Sequence, residues 1–97
     1  MTITKKQDNA AMTIALEGRL DTTTAPELEQ EVKNLNNVDA LVLDFSKLDY
    51  ISSAGLRVLL SAHKLMAGKG GMRVINVNEL VREVFDVTGF SDILDIE

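Results

Sequence analysis

The sequence predicts an α/β fold: a single domain spanning residues 1–97, with a mostly parallel central sheet of four to five strands, helices packed against it, and the order ββαβαβα. Three observations support this. Met12, Ile14 and Leu16 alternate with Thr13 and Ala15, the period of two expected of a strand with one face inward. Apolar residues recur at helical spacing over Leu28–Leu35 and again after Ser53. Strand-like and helix-like segments then take turns along the chain, as parallel crossovers require. At 97 residues there is material for one core and not two.

Ile3 belongs to a short first strand, and Lys5 to Asn9 supply a polar, hairpin-like break. The second strand carries Met12, Ile14 and Leu16 and stops at Gly18. Thr24-Ala25-Pro26-Glu27 is a helix-start signal: a hydroxyl cap, a proline in the first turn and an acid three residues after the cap. Leu28, Val32 and Leu35 form its buried stripe, and Asn36 and Asn37 close the helix. Ala40 to Phe45 reads as a continuous apolar strand, the pattern of a sheet centre covered on both faces, with Ser46 to Tyr50 as the turn that leaves it.

The second helix is expected from Ser53 to about Ala67. Leu56, Leu59, Leu60 and Ala67 share one side and Val58, Ala62, Leu65 and Met66 another. Arg57, Ser61 and Lys64 leave only a narrow polar stripe, so part of this helix should show as an apolar shoulder containing Leu56 and Leu60. Gly68, Gly70 and Gly71 turn the chain into a strand over Met72–Val77. Asn76 or Asn78 caps a third helix with an inner face of Leu80, Val81, Val84 and Phe85. Gly89 stands where a left-handed C-cap belongs, and Phe90, Ile93, Leu94 and Ile96 complete a short strand or packed tail.

Ten basic and fifteen acidic side chains give a net charge of −5, which argues against a nucleic-acid backbone or an anionic membrane as partner and favours a basic protein surface. There is no cysteine, hence no disulfide framework or thiolate zinc site. No apolar run has signal-peptide or membrane-spanning length, and the expected location is cytoplasmic.

Ser52 and Ser53 open the second helix, where unpaired N–H groups and the positive dipole end would receive a phosphate well. Serine is equally a good N-cap, and the residues leave both readings open. A serine hydrolase is excluded: Ile51 stands where the nucleophile elbow needs its first glycine. The one histidine, His63, lies about 15 Å further along the same helix. Gly68-Lys69-Gly70-Gly71 follows a helix and precedes a strand, the reverse of a phosphate-binding loop. Asp39, Asp44 and Asp49 read as solvated carboxylates rather than metal ligands, so neither metal nor cofactor is expected. A small-molecule sensor using the crevice at the strand ends has no fingerprint to support it. Asp21 reads as a turn former, or as a partner of the serines if the fold brings them together.

Gly18-Arg19-Leu20-Asp21 with Thr24-Ala25, then Leu43 through Leu56 including Ile51-Ser52-Ser53-Ala54-Gly55-Leu56, then Val84 through Phe90, together resemble the STAS domain of bacterial anti-sigma factor antagonists. The resemblance covers nearly the whole chain. It implies a non-enzymatic interaction switch. The unphosphorylated protein binds an anti-sigma factor, a serine kinase of the histidine-kinase-like ATPase fold, and phosphorylation of one serine releases it, regulating transcription indirectly.

By the position of the Gly55-Leu56 pair the acceptor is Ser53, with Ser52 as the second candidate. Asp21, Thr24, Ser52, Ser53, Ala54, Gly55, Leu56 and Leu60 would form the partner-binding surface. A serine phosphatase would be a further partner. Ser52 stands where family members with a kinase partner often carry Asp, and Ala54 where Ser or Thr is usual. The alternative implied is a constitutive STAS subunit of a transport or stress-signalling complex, with no phosphorylation.

Overall fold

The computed structural model describes residues 1–97. In chain order it contains β1 (Thr2–Asp8), β2 (Ala11–Leu20), α1 (Ala25–Lys33), β3 (Ala40–Ile51), α2 (Ser53–Met66), β4 (Met72–Ile75), α3 (Glu79–Thr88), a 3-10 turn (Phe90–Asp92) and β5 (Asp95–Ile96). The five strands lie side by side in sequence order, β1 antiparallel to β2 and all other pairs parallel. This is the predicted α/β fold. Each crossover steps to the next strand in the same direction, so right-handed connections place all three helices on one face of the sheet.

That one-sidedness corrects the expectation for β3. Leu41, Leu43 and Phe45 are buried, whereas Val42 and Asp44 between them are half-buried. The same alternation in β2 and β4 leaves Thr13, Ala15 and Arg73 on an uncovered sheet face. The core is the layer between the sheet and the helices: a cluster of 23 buried apolar residues, with no buried polar or charged residue. Phe45 stacks on Phe85 at 6.4 Å between ring centroids, which anchors α3 to β3. No helix is long and apolar enough to cross a membrane.

The first three strands are longer than periodicity predicts. β1 continues to Asp8, and the hairpin turns at Asn9, which takes a left-handed φ of 57°. Gly18 does not end β2 but sits inside it with φ 107°, and β3 runs through Ser46–Tyr50 to Ile51. Between Ala15 and Glu17, and again between Gly18 and Arg19, β3 carries one more residue than β2. These two bulges return Leu48 and Ile51 to the buried face, where they join Leu20. At the other ends, α1 stops at Lys33, before Asn36 and Asn37, and β4 stops at Ile75.

In α3 only Val81 and Phe85 are buried; Val84 is half-buried and Leu80 faces solvent, which corrects the predicted inner face. Asn78 is the cap: its Oδ1 accepts from the Val81 N–H at 2.8 Å and its Nδ2 donates to the Leu48 carbonyl at 2.8 Å. Gly89 ends the helix in the left-handed conformation expected of it.

Candidate functional site

The paired ends of β2 and β3 build the site. Leu20 lies opposite Ile51, and the Ser52 N–H donates to the Leu20 carbonyl at 2.9 Å, so the turn beginning at Asp21 lies beside the start of α2. Gly55 permits this close approach. A Cβ there would lie 2.8 Å from Leu20 Cγ and 2.9 Å from Ile51 Cγ1, inside van der Waals contact.

The two serines have different tasks. Ser52 has extended backbone (φ −102°, ψ 175°), its Oγ accepts from the Gly55 N–H at 3.4 Å, and its carbonyl accepts the Leu56 N–H at 2.9 Å. It is the N-cap, and it is half-buried. Ser53 is the first residue of the helix, exposed, with no side-chain hydrogen bond to the protein. Because Ser52 fills the cap, the Ser53 hydroxyl is left free at a helix N-terminus.

Thr24 precedes α1 and its carbonyl accepts the Glu27 N–H at 3.0 Å, but its hydroxyl does not cap the helix as the sequence predicts. Instead its Oγ1 donates to the Arg19 carbonyl at 2.7 Å and accepts from the Asp21 N–H at 2.8 Å, bracing the turn. Asp21 does the organising: Oδ1 accepts from Thr23 Oγ1 (2.8 Å), the Thr23 N–H (3.0 Å) and the Thr24 N–H (3.2 Å). These donors, the Thr23 hydroxyl foremost, hold its carboxyl below the ordinary carboxylate value. Arg19 lies over the Tyr50 ring at 4.2 Å with Nε 3.7 Å from Asp21 Oδ2, joining both strand ends to this turn.

Leu56 is not part of an outward shoulder; it is 6% exposed and belongs to the core. Leu60 is half-buried and helps line a groove of about 380 Å³ between α1 and α2, together with Ala54, Arg57 and Lys64 on one side and Thr22 and Pro26 on the other. Leu65, which the sequence places on one side of α2 with Val58, Ala62 and Met66, is exposed, whereas those three are buried. The groove carries the cations Arg57 and Lys64 against the single carboxylate of Glu29. Its basic lining escaped the sequence reading, in which Arg57 and Lys64 were only a polar stripe.

His63 lies near the other end of α2, lining a depression with Gly70 and Gly71, so it does not face Ser53. Asp44 accepts from Asn76 Nδ2 at 3.0 Å and from the Ser46 N–H at 2.9 Å, locking strand ends together.

A one-sided α/β sheet with a serine at the start of the second helix defines a class, and comparison with known proteins gives it a name. The chain belongs to the STAS domain family, whose model matches residues 2–97. It is 37% identical to BtrV of Bordetella bronchiseptica, provisionally classed as an anti-sigma factor antagonist, over 99% of this chain and 85% of that protein. It is 30% identical to the anti-sigma-B factor antagonist of Bacillus subtilis, over 94% of this chain and 85% of that one. The crystal structure of an anti-sigma factor antagonist from Mycobacterium paratuberculosis has the same fold, with TM-score 0.88 and 24% identity over 98% of this chain and 83% of that chain. Within the family, then, the chain groups with the anti-sigma factor antagonists, which are regulatory proteins and not enzymes.

Proposed function

We propose that this protein is a phosphorylation-controlled antagonist in the cytoplasm. It binds an anti-sigma factor with serine-kinase activity while Ser53 is unmodified and releases it once Ser53 is phosphorylated. The supporting observation is the division of labour between the serines: Ser52 is committed to the cap, while Ser53 is exposed and unbonded beside the Asp21 turn. Ser52 in place of an acid leaves this arrangement intact, because Ser and Asp serve an N-cap about equally well.

Phosphorylation would add a charge of about −1.5 to −2 where the helix dipole welcomes it, so the fold need not change. A partner docked over the same spot meets a strongly hydrated dianion instead of a hydroxyl. A penalty of about 3 kcal/mol weakens binding roughly 150-fold. The Arg57 and Lys64 groove beside Ser53 suits an acidic segment of the kinase. A serine phosphatase would reset the switch.

Incubation with the cognate kinase and ATP, followed by phosphosite mapping, tests the proposal. Modification at Ser53, abolished by Ser53→Ala and retained by Ser52→Ala, is expected. Absence of phosphate at Ser53, with Ser53→Asp binding the kinase as tightly as wild type, would refute it.

A further inference from the structure

Three of the four large apolar side chains left exposed by the fold, Leu80, Val87 and Ile93, belong to α3 and the turn that follows it. Leu80 and Val87 are 55% and 81% exposed, and with half-buried Val84 they form an i, i+4, i+7 stripe. Scattered exposed leucines need no explanation, but a helical stripe is the pattern that docks another helix. The stripe borders a shallow depression of about 350 Å³ lined also by Glu83 and Thr88.

Charge around the stripe identifies the occupant. At about 100° per residue, Glu83 lies about 65° from the middle of the stripe and Glu79 about 105° on the same flank, while Asp86 and Arg82 continue round to the far side of the helix. None of the three carboxylates has an ion pair, although Asp86 accepts a hydrogen bond from Ser91. A second copy of this chain would bring two such acidic rims together, on a protein whose net charge is already −5.

We propose that α3 is a second docking surface, for an amphipathic helix of a partner protein that sets apolar residues on Leu80, Val84 and Val87 and lysine or arginine against the flank carrying Glu83 and Glu79. It is distinct from the surface at Ser53, which starts a different helix and whose neighbouring groove is basic. An α3 contact therefore does not require Ser53 to be unmodified.

The test uses a synthetic helical peptide with leucine at i, i+4 and i+7 and lysine elsewhere, titrated into the isotope-labelled protein. Two control peptides are needed, one with glutamate for lysine and one with the same composition scrambled. The leucine–lysine peptide is expected to shift amide resonances along Leu80–Thr88 and to leave those at Ser52–Gly55 unmoved. Leu80→Ser/Val87→Ser and Glu79→Lys/Glu83→Lys should each weaken it at least about tenfold. Both pairs are exposed, so folding should survive, as checked by thermal unfolding. Equal binding by the scrambled peptide, or by either double variant, overturns the proposal. So does sedimentation showing a wild-type dimer that Leu80→Ser/Val87→Ser dissolves, since the occupant would then be a second copy.

Discussion

Gly55→Ala probes the contact that sets the position of α2. The new Cβ would lie 2.8 Å and 3.0 Å from two atoms of Leu20 and 2.9 Å from Ile51, against an ordinary carbon–carbon separation of about 3.5–4.0 Å. Neither neighbour has room to retreat: Leu20 is 0% and Ile51 2% exposed, and the two are paired across the strands. Overpacking costs about 1–3 kcal/mol. Three contacts at or under 3.0 Å with buried neighbours put this case in the upper part, about 2–3 kcal/mol, and the better helix propensity of alanine returns about 1 kcal/mol. A net loss of about 1–2 kcal/mol, or roughly 5–15 °C in Tm, should appear in urea and thermal unfolding. Gly68→Ala is the control, because nothing lies within 4 Å of a Cβ there and no left-handed φ is required; it should be neutral or stabilising by up to about 1 kcal/mol. Combining Gly55→Ala with Leu20→Ala should cost less than the sum of the two, since truncating Leu20 clears the clash. Wild-type or higher stability of Gly55→Ala would refute the argument.

Other predictions follow from single interactions. Ser52→Ala loses the α2 cap, and its long 3.4 Å bond puts the cost near the low end, about 0.5–1 kcal/mol, whereas Ser53→Ala should stay within about 0.5 kcal/mol of wild type in the same urea titrations. Asn78→Ala removes both the Val81 cap and the bond to Leu48 and should cost about 1–2 kcal/mol. Asp44 has its carboxyl lowered below 3.8 by Asn76 first and by Ser46. Its contribution is therefore present above the unfolded value and is lost as pH falls through the lower folded value. Unfolding measured from pH 6 downward should show wild type losing more stability in acid than Asp44→Asn, about the reference value of 3.8.

The helix signals were legible because they are local. Proline after Thr24, an Asn cap before α3 and Gly89 after it act through neighbours in sequence. Misreadings arose where a residue's role depends on another strand. Ser46–Tyr50 looks like a turn, yet β2 supplies a parallel partner and bulges absorb its irregular pattern. The run Ala40–Phe45 looks doubly covered, but nothing local tells a half-buried Val42 from a buried Leu43. The inner face of α3 was misjudged because Leu80, Val81, Val84 and Phe85 span a broad apolar arc, and only the Phe45–Phe85 stack decides which part of it turns inward. At the site, two adjacent serines are equivalent as caps in sequence; the bond from Ser52 N–H to Leu20 O ties Ser52 to the strand end, its Oγ accepts from the Gly55 N–H as the cap, and Ser53 is left free.

The most direct test of the switch is the affinity of the partner kinase for protein carrying phosphoserine installed at position 53 during synthesis, compared with unmodified protein by calorimetry without ATP. Weakening by roughly 100-fold or more, with unfolding stability unchanged, is predicted. Equal affinity of the two forms would contradict the account.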